Sequence, residues 1–212
     1  RPLIADLDSL PVPDRTVYER AHRFFALDPV KHVAASRGCP MCCRYCYSAV
    51  SRQAYGPGFF RLRSPAHVLE ELRVIVATSR VPPLINFVDD NLLASRDWAE
   101  AFLPAYAREI GRPFVLQTMP QHVTDRALVD LLKYAGCVNV KIGVESGDER
   151  AREAVLGRPI SDARIEAAAA TLHAAGIGVS TLNMLGLPGE AWQGAWQTVR
   201  FNRRLKPTYS MF

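Results

Sequence analysis

From residue 31 onward, short apolar runs alternate with amphipathic segments, and glycine or a hydroxylated residue stands at most of the joints. The runs predict strands at residues 32–35, 84–88, 114–118, 138–144, 178–184 and 208–212. Between them, Val68, Leu72 and Ile75, and then Leu128, Leu131, Leu132 and Ala135, recur at spacings of three and four, the period of a helix with one buried face. Ser64 (before Pro65), Ser95, Thr124 and Ser161 read as helix starts, and Gly111, Gly136 and Gly176 as helix stops. Six strands alternating with helices predict an α/β fold: a parallel sheet with right-handed crossovers and outer helices, curled into a partial (β/α)6 TIM-like barrel. In such a barrel the loops leaving the carboxyl ends of the strands build the active site. The segments to read for chemistry are therefore 37–39, 89–91, 117–121, 145–147 and 186–190.

Residues 1–14 hold Pro2, Pro11 and Pro13 among Asp6, Asp8 and Asp14, a pattern for an extended linker, and residues 15–27 for a short helix. The expected organisation is a linker and helix from an upstream domain over 1–30, then a core barrel over 31–212 that is cut short at its carboxyl end. A start at Arg1 and a stop inside a strand-like run suit a piece of a longer protein. At 212 residues, with 49% hydrophobic and 22% charged positions, the chain has the makings of one well-buried globular domain. The net charge of +5 reads as scattered arginine on a solvated surface, without the basic block or aromatic interleaving of a nucleic-acid stripe. No apolar run nears the ~18 residues of a membrane span, so the expectation is a cytoplasmic protein without a membrane partner.

Four of the five cysteines, Cys39, Cys42, Cys43 and Cys46, fall within eight residues. Clustered thiols of this kind point to metal or redox chemistry rather than to a disulfide framework. Three thiolates spaced by three and two residues can wrap a cubane cluster and leave its fourth iron open to a substrate-like ligand. Residues 39, 42 and 46 offer a second such set with the spacings exchanged. A structural zinc knuckle needs four closed ligands, and neither Cys137 nor His32 is placed to complete one. The five histidines, His22, His32, His67, His122 and His173, form no ligand-spaced pair.

The segment from Gly38 to Tyr47 resembles the signature of the radical S-adenosylmethionine (SAM) superfamily, C-x-x-x-C-x-aromatic-C, with Cys39, Cys43 and Cys46 in the ligand positions and Tyr45 as the aromatic. That resemblance implies a 4Fe-4S cluster on these three cysteines, with Cys42 a bystander. It extends along the barrel. Asp89 and Asp90 match a second-strand motif that meets the amino group of SAM. Glu145 and Ser146 match a fourth-strand motif that meets its ribose or amino acid end, although Lys141 or Arg150 would also make an ordinary ion-pair partner for Glu145. Leu185 and Gly186 match a fifth-strand motif that packs the adenine, and Glu190 reads only as a favourable charge at a helix start. The third strand, 117–121, lacks the arginine that several relatives carry nearby.

The implied chemistry is reductive cleavage of SAM to a 5'-deoxyadenosyl radical that abstracts hydrogen from an unidentified organic substrate, with an electron donor such as a flavodoxin or ferredoxin as partner. Residues 2–15 look like the linker of cobalamin-dependent members, which implies a methylase that uses cobalamin bound mainly by an upstream domain. The alternatives are a methylthiotransferase and a metal-binding module without turnover.

Overall fold

The computed structural model describes residues 2–212; Arg1, the first residue of the expected linker, lies outside them. A short 3-10 turn, Leu7–Ser9, precedes helices α1 (Thr16–Ala21) and α2 (Arg23–Leu27). One helix was expected over 15–27. The chain breaks it at His22, whose φ of −142° and ψ of 121° are extended. Strand β1 (Val30–Val33) leads into the cysteine loop, which is bracketed by two short strands, β2 (Ser36–Arg37) and β3 (Arg61–Leu62), paired antiparallel. Helix α3 (Tyr47–Tyr55) lies within that loop. Then follow α4 (Pro65–Thr78), β4 (Leu84–Phe87), α5 (Arg96–Glu109), β5 (Phe114–Thr118), α6 (Arg126–Tyr134), β6 (Cys137–Glu145), α7 (Glu149–Ala154), α8 (Asp162–Ala174), β7 (Gly178–Asn183), α9 (Trp192–Leu205) and β8 (Tyr209–Met211).

The large sheet has the order β1-β4-β5-β6-β7-β8 with every neighbouring pair parallel, the open six-stranded arrangement expected of a partial barrel. The β2–β3 pair had no counterpart in the expectation, because two-residue strands carry no readable alternation. Ser64, Ser95 and Ser161 each accept a backbone N–H at a helix start. At α6 that part belongs to Asp125, not Thr124: its carboxylate takes the N–H of Ala127, 2.9 Å away.

One face of the sheet is apolar and packs under the helices through Val33, Ile85, Phe87, Leu116, Val140 and Ile142, all at most 1% exposed. Phe87 sits edge-on to Phe102 of α5 and to Phe114, and each buried ring contributes roughly 1.5–3 kcal/mol of transfer free energy. The opposite, concave face carries alternate residues such as His32, Asn86, Gln117, Lys141 and Ser180, and only one face of this sheet is dry.

Candidate functional site

The cysteine loop leaves the sheet through Gly38, whose φ of 79° suits glycine and where a Cβ would lie 2.6 Å from the Phe59 ring. Its middle is pinned from a distant element: the Arg44 N–H donates to the Leu156 carbonyl at 2.9 Å, and the Arg44 guanidinium to that of Ala154 at 2.5 Å. A turn then closes as the Cys46 N–H meets the Cys43 carbonyl at 3.0 Å, and Cys46 becomes the residue preceding α3. Cys39, Cys43 and Cys46 line one cavity together with Tyr45, Asp90, Gln117, Thr118, Gly143, Glu145 and Arg158. Cys42 faces outward and is not among the lining residues.

A single zinc ion would draw thiolates to about 2.3 Å from one point. Among the described residues no three His, Cys, Asp or Glu side chains converge in that way. Three thiols sharing a cavity without meeting at a point fit the larger cubane, whose ligands bind separate irons. Burial pushes the Cys39 and Cys43 thiols up, and ligation is what makes such buried sulfurs thiolates.

The strand ends supply the remaining wall. At the end of β6 the pairing register with β7 shifts between Gly143 and Glu145, a bulge that re-aims the last side chain. Glu145 itself has a φ of 66°, in the left-handed region that costs a non-glycine residue roughly 1–2 kcal/mol. Its carboxylate meets Arg158, at 2.8 Å, rather than Lys141 or Arg150. The Arg158 guanidinium also donates to the Gly143 carbonyl at 2.6 Å and lies 3.3 Å from the Tyr45 hydroxyl. Burial first, and then the Glu145 charge, holds the Tyr45 phenol far above its usual range. Asp90 accepts the Tyr47 hydroxyl at 2.6 Å, a bond that leads the upward shift of the Tyr47 phenol.

A second cavity adjoins the first and shares Met41, Cys43, Met119 and Arg158 with it; Cys42, Gln121, Ile160 and Arg164 complete much of its wall. Two buried polar atoms there have no partner, the Nε of Arg158 and the Oε1 of Gln121. An unsatisfied buried donor and an unsatisfied buried acceptor among the residues of one cavity are candidate contacts for a polar ligand.

The expected site residues thus divide. Tyr45, Asp90 and Glu145 join the three cysteines at the cavity. Asp89 does not: its carboxylate takes the backbone N–H groups of Ala35 (3.1 Å) and Ser36 (2.5 Å) and the Ser36 hydroxyl (2.5 Å), tying the end of β4 to the start of the cysteine loop. Ser146 is fully buried in a turn, where its carbonyl accepts from Arg152 and its hydroxyl from the Asp148 N–H. Leu185 is half-exposed and Gly186 has open space around it; neither lines the cysteine cavity. Glu190 is more than a charge before α9, since it accepts the N–H groups of Gly186 (2.6 Å) and Leu187 (3.2 Å) and so folds this loop. Arg158, Gln121 and Arg44 were missed. Arg44 and Arg158 reach residues more than a hundred positions away, and an isolated arginine carries no local signal; Gln121 lies in the 117–121 segment but was not singled out within it.

Comparison with known proteins places this geometry. Residues 33–201 match the family described as the Radical SAM superfamily. An uncharacterized methyltransferase of Pyrococcus horikoshii is 24% identical over 212 residues, all of this chain and 45% of that protein. The hopanoid C-3 methylase of Methylococcus capsulatus is 29% identical over 143 residues, 66% of this chain and 26% of that protein. The chain therefore spans less than half the length of these curated relatives. Among solved structures, the radical S-adenosylmethionine methyltransferase TsrM from Kitasatospora setae, with tryptophan substrate and a SAM analog bound, superposes with a TM-score of 0.76 over 90% of this chain and 36% of that one at 19% identity. The cobalamin-dependent S-adenosylmethionine radical enzyme OxsB does so with a TM-score of 0.75 over 94% of this chain and 29% of that one at 16% identity. At such identities the structures attest a shared fold of the TIM-like barrel type. The family match covers well over half of the residues, so the chain belongs to the radical SAM superfamily.

Proposed function

We propose that the chain is the core of a cobalamin-dependent radical SAM methylase acting on an unactivated carbon, with residues 31–212 as the barrel and 1–30 as the connection to an upstream domain. The observation that carries this reading is the convergence of Cys39, Cys43 and Cys46 with the Glu145–Arg158 pair on one cavity. When bound, a 4Fe-4S cluster supplies the electron that turns SAM into a hydrogen-abstracting radical source, and cobalamin supplies the methyl group.

This chain's own residues bind and orient. The cofactor's amino acid end is a zwitterion, and the residues of the second cavity include Arg158, with an unpaired Nε, and Gln121, with an amide oxygen without a partner. Arg158 suits a carboxylate because its fork donates in two directions, and Gln121 suits an ammonium. Glu145 holds Arg158 in place, and as a lining residue of the cavity its carboxylate suits a hydroxyl or ammonium. Asp90, steadied by Tyr47, lies on the cysteine side of the same wall. Leu185 and Gly186, at the end of β7, remain the proposed edge against which a flat base would rest. A reducing compartment such as the cytoplasm suits a cluster of free thiols.

Cobalamin and methyl transfer rest on the relatives: both curated proteins are named as methyl-transferring enzymes, and both TsrM and OxsB were solved with cobalamin. The test is anaerobic reconstitution of the full-length protein with iron and sulfide, then assay for 5'-deoxyadenosine with SAM and a strong reductant, beside a Cys43→Ala variant. Wild-type product with none from the variant supports the radical reading. Retained cobalamin, with label passing from methyl-labelled SAM to the corrin, supports the methylase; a radical enzyme that holds no cobalamin points to the methylthiotransferase class.

A further inference from the structure

We propose that Lys141 and Asn86 form an anion subsite on the concave face of the sheet, directly below the cysteine cavity, and that it takes a carboxylate or phosphate group of the substrate. The inference rests on the radical SAM reading above and adds to it a substrate class.

Lys141 belongs to β6 and Asn86 to β4, with β5 between them. The Lys141 ammonium nonetheless donates to the Asn86 Oδ1 at 3.1 Å. Its side chain therefore crosses β5 on the concave side, since the other face of both strands is filled by Val140, Ile142, Ile85 and Phe87 beneath the helices. The Asn86 amide passes the polarity on and lies 2.9 Å from the His32 Nδ1. With its oxygen taken by Lys141, Asn86 donates to that nitrogen, which leaves the Nε2 of His32 as the hydrogen-bearing one. The result is a row of donors, ammonium, amide and imidazole, across three strands, with no carboxylate paired to Lys141 among the described residues.

The other lysines make the contrast plain. The chain has 26 Lys and Arg, of which only Lys31, Lys133, Lys141 and Lys206 are lysine. Lys31 donates to the Phe25 carbonyl and pairs with Glu19. Lys133 donates to the Gly176 carbonyl just past the end of α8, and Lys206 is the left-handed residue that ends α9. Lys141 alone stands on the inner face of the sheet, half-buried and without a counterion. A partly desolvated ammonium in that position favours an anion from outside.

The position also fits the chemistry. Lys141 pairs in register with Gln117, which lines the cysteine cavity, and precedes Gly143, also in its wall, by two residues on the same face. Two residues of strand are about 7 Å, so a substrate anchored at Lys141 extends upward toward the place where the radical forms. Neighbouring inner-face positions, Gln117, Asn139 and Ser180, are polar, and the Ser180 hydroxyl donates to Asn139 at 2.9 Å. A floor of this kind suits a small polar acid and is ill suited to an unsubstituted hydrocarbon skeleton.

The test uses the full-length protein, reductively methylated with 13C-formaldehyde so that each lysine keeps its charge and reports by NMR; Lys141→Arg identifies the Lys141 signal. Acetate and methyl phosphate are titrated at constant ionic strength, with acetamide as the neutral counterpart. The expected result is saturable movement of the Lys141 signal with at least one of the anions, none with acetamide, still signals for Lys133 and Lys206, and at least fivefold weaker binding in Asn86→Leu. A Lys141 signal that stays still, moves in step with Lys206, or responds equally to acetamide overturns the subsite. Measuring 5'-deoxyadenosine formation on unmodified protein from the same purification keeps the two questions apart: its absence counts against the radical reading, while the NMR titration decides the subsite by itself.

Discussion

Arg158 and Glu145 are joined at 2.8 Å across a space that exists only because residue 143 is glycine: a Cβ there would lie 2.4 Å from the Glu145 Oε1 and 2.8 Å from the Arg158 Nη1. The pair is buried, with side-chain exposures of 5% for Arg158 and 11% for Glu145. Removing one partner leaves the other charge unpaired, a loss of about 3–5 kcal/mol. Arg158→Met is therefore expected to lower the unfolding free energy by that order and SAM affinity at least tenfold. Arg158→Lys should restore part of the stability and less of the affinity, because an ammonium lacks the fork. Urea unfolding and equilibrium dialysis with SAM check the two effects, and unchanged affinity in Arg158→Met would refute the assigned role.

Gly147 and Gly186 differ in what surrounds them. A Cβ at Gly147 would fall 2.5 Å from the Gln197 carbonyl oxygen and 2.6 Å from the Thr198 Cα, both backbone of α9, whereas nothing lies within 4 Å of one at Gly186. Gly147→Ala should cost about 1–3 kcal/mol through forced displacement of α9, and Gly186→Ala only the ~1–2 kcal/mol of its left-handed φ of 77°. Urea midpoints of the two variants order the effects; equal losses would mean that the α9 contact carries no strain.

The adjacent carboxylates should part in their phenotypes. Asp89 braces β4 to the cysteine loop through three donors, so Asp89→Ala should cost about 1–3 kcal/mol of stability, while Asp90→Asn should leave stability nearly intact and weaken SAM binding. Burial raises the Asp89 carboxyl above its ordinary 3.8 despite those hydrogen bonds. The folded state thus holds the proton more tightly than the unfolded one, and the stabilisation this contributes is complete below 3.8 and fades as pH rises through the raised value. Comparing urea midpoints of wild type and Asp89→Asn from pH 4 to 7 should show the wild type's relative stability falling with pH; a difference that grows with pH would reverse the assignment.

The cysteines offer a chemical check of the cavity. Burial pushes the Cys137 thiol up to about 12, so at pH 8 only about one molecule in 10⁴ carries its thiolate. Cys42 is exposed, with the Arg52 guanidinium 3.4 Å from its sulfur. Iodoacetamide should label Cys42 in the cluster-free protein well before Cys137, and cluster loading should protect Cys39, Cys43 and Cys46 but not Cys42. Peptide mapping by mass spectrometry reads the order, and protection of Cys42 in place of Cys43 would exchange the ligand phase.

Much of this was legible in the sequence because the signals were local. The spacing of Cys39, Cys43 and Cys46 is a loop property, and the strand at Phe114–Thr118 matches its expected bounds because its apolar run is flanked by Pro113 and Pro120. What stayed hidden was long-range. Arg158 follows α7 and reaches Glu145, Gly143 and Tyr45, a convergence that only folding creates. Asp89 and Asp90 are adjacent carboxylates after the strand, yet Asp89 turns to the Ala35 and Ser36 N–H groups while Asp90 lines the cavity. Lys141 read as an ion-pair partner for Glu145, four residues along its own strand, whereas its neighbour in the fold is Asn86 on β4.

Charge too was less scattered than it first read. Between Asp28 and Glu70 there is no acidic residue at all, while Lys31, Arg37, Arg44, Arg52, Arg61 and Arg63 fall there, enough to account for the whole net charge of +5. Arg37, Arg44, Arg52 and Arg61 donate to carbonyl oxygens of Ser36, Ala154, Pro40 and Phe59, and among the described residues none has a carboxylate partner. Tyr47, Val50 and Tyr55 of α3 stand exposed among them. An acidic electron carrier is the partner such a cationic, partly apolar face favours, and steering by charge is typically worth 10- to 1,000-fold in association rate. Val50→Glu places a negative charge on this face without touching the cavity. In the reconstituted full-length protein it should slow cluster reduction by an acidic flavodoxin about tenfold and leave reduction by dithionite unchanged, and added salt should slow the wild type toward the variant. Equal flavodoxin rates for wild type and variant at low salt would move the site of electron entry to another face.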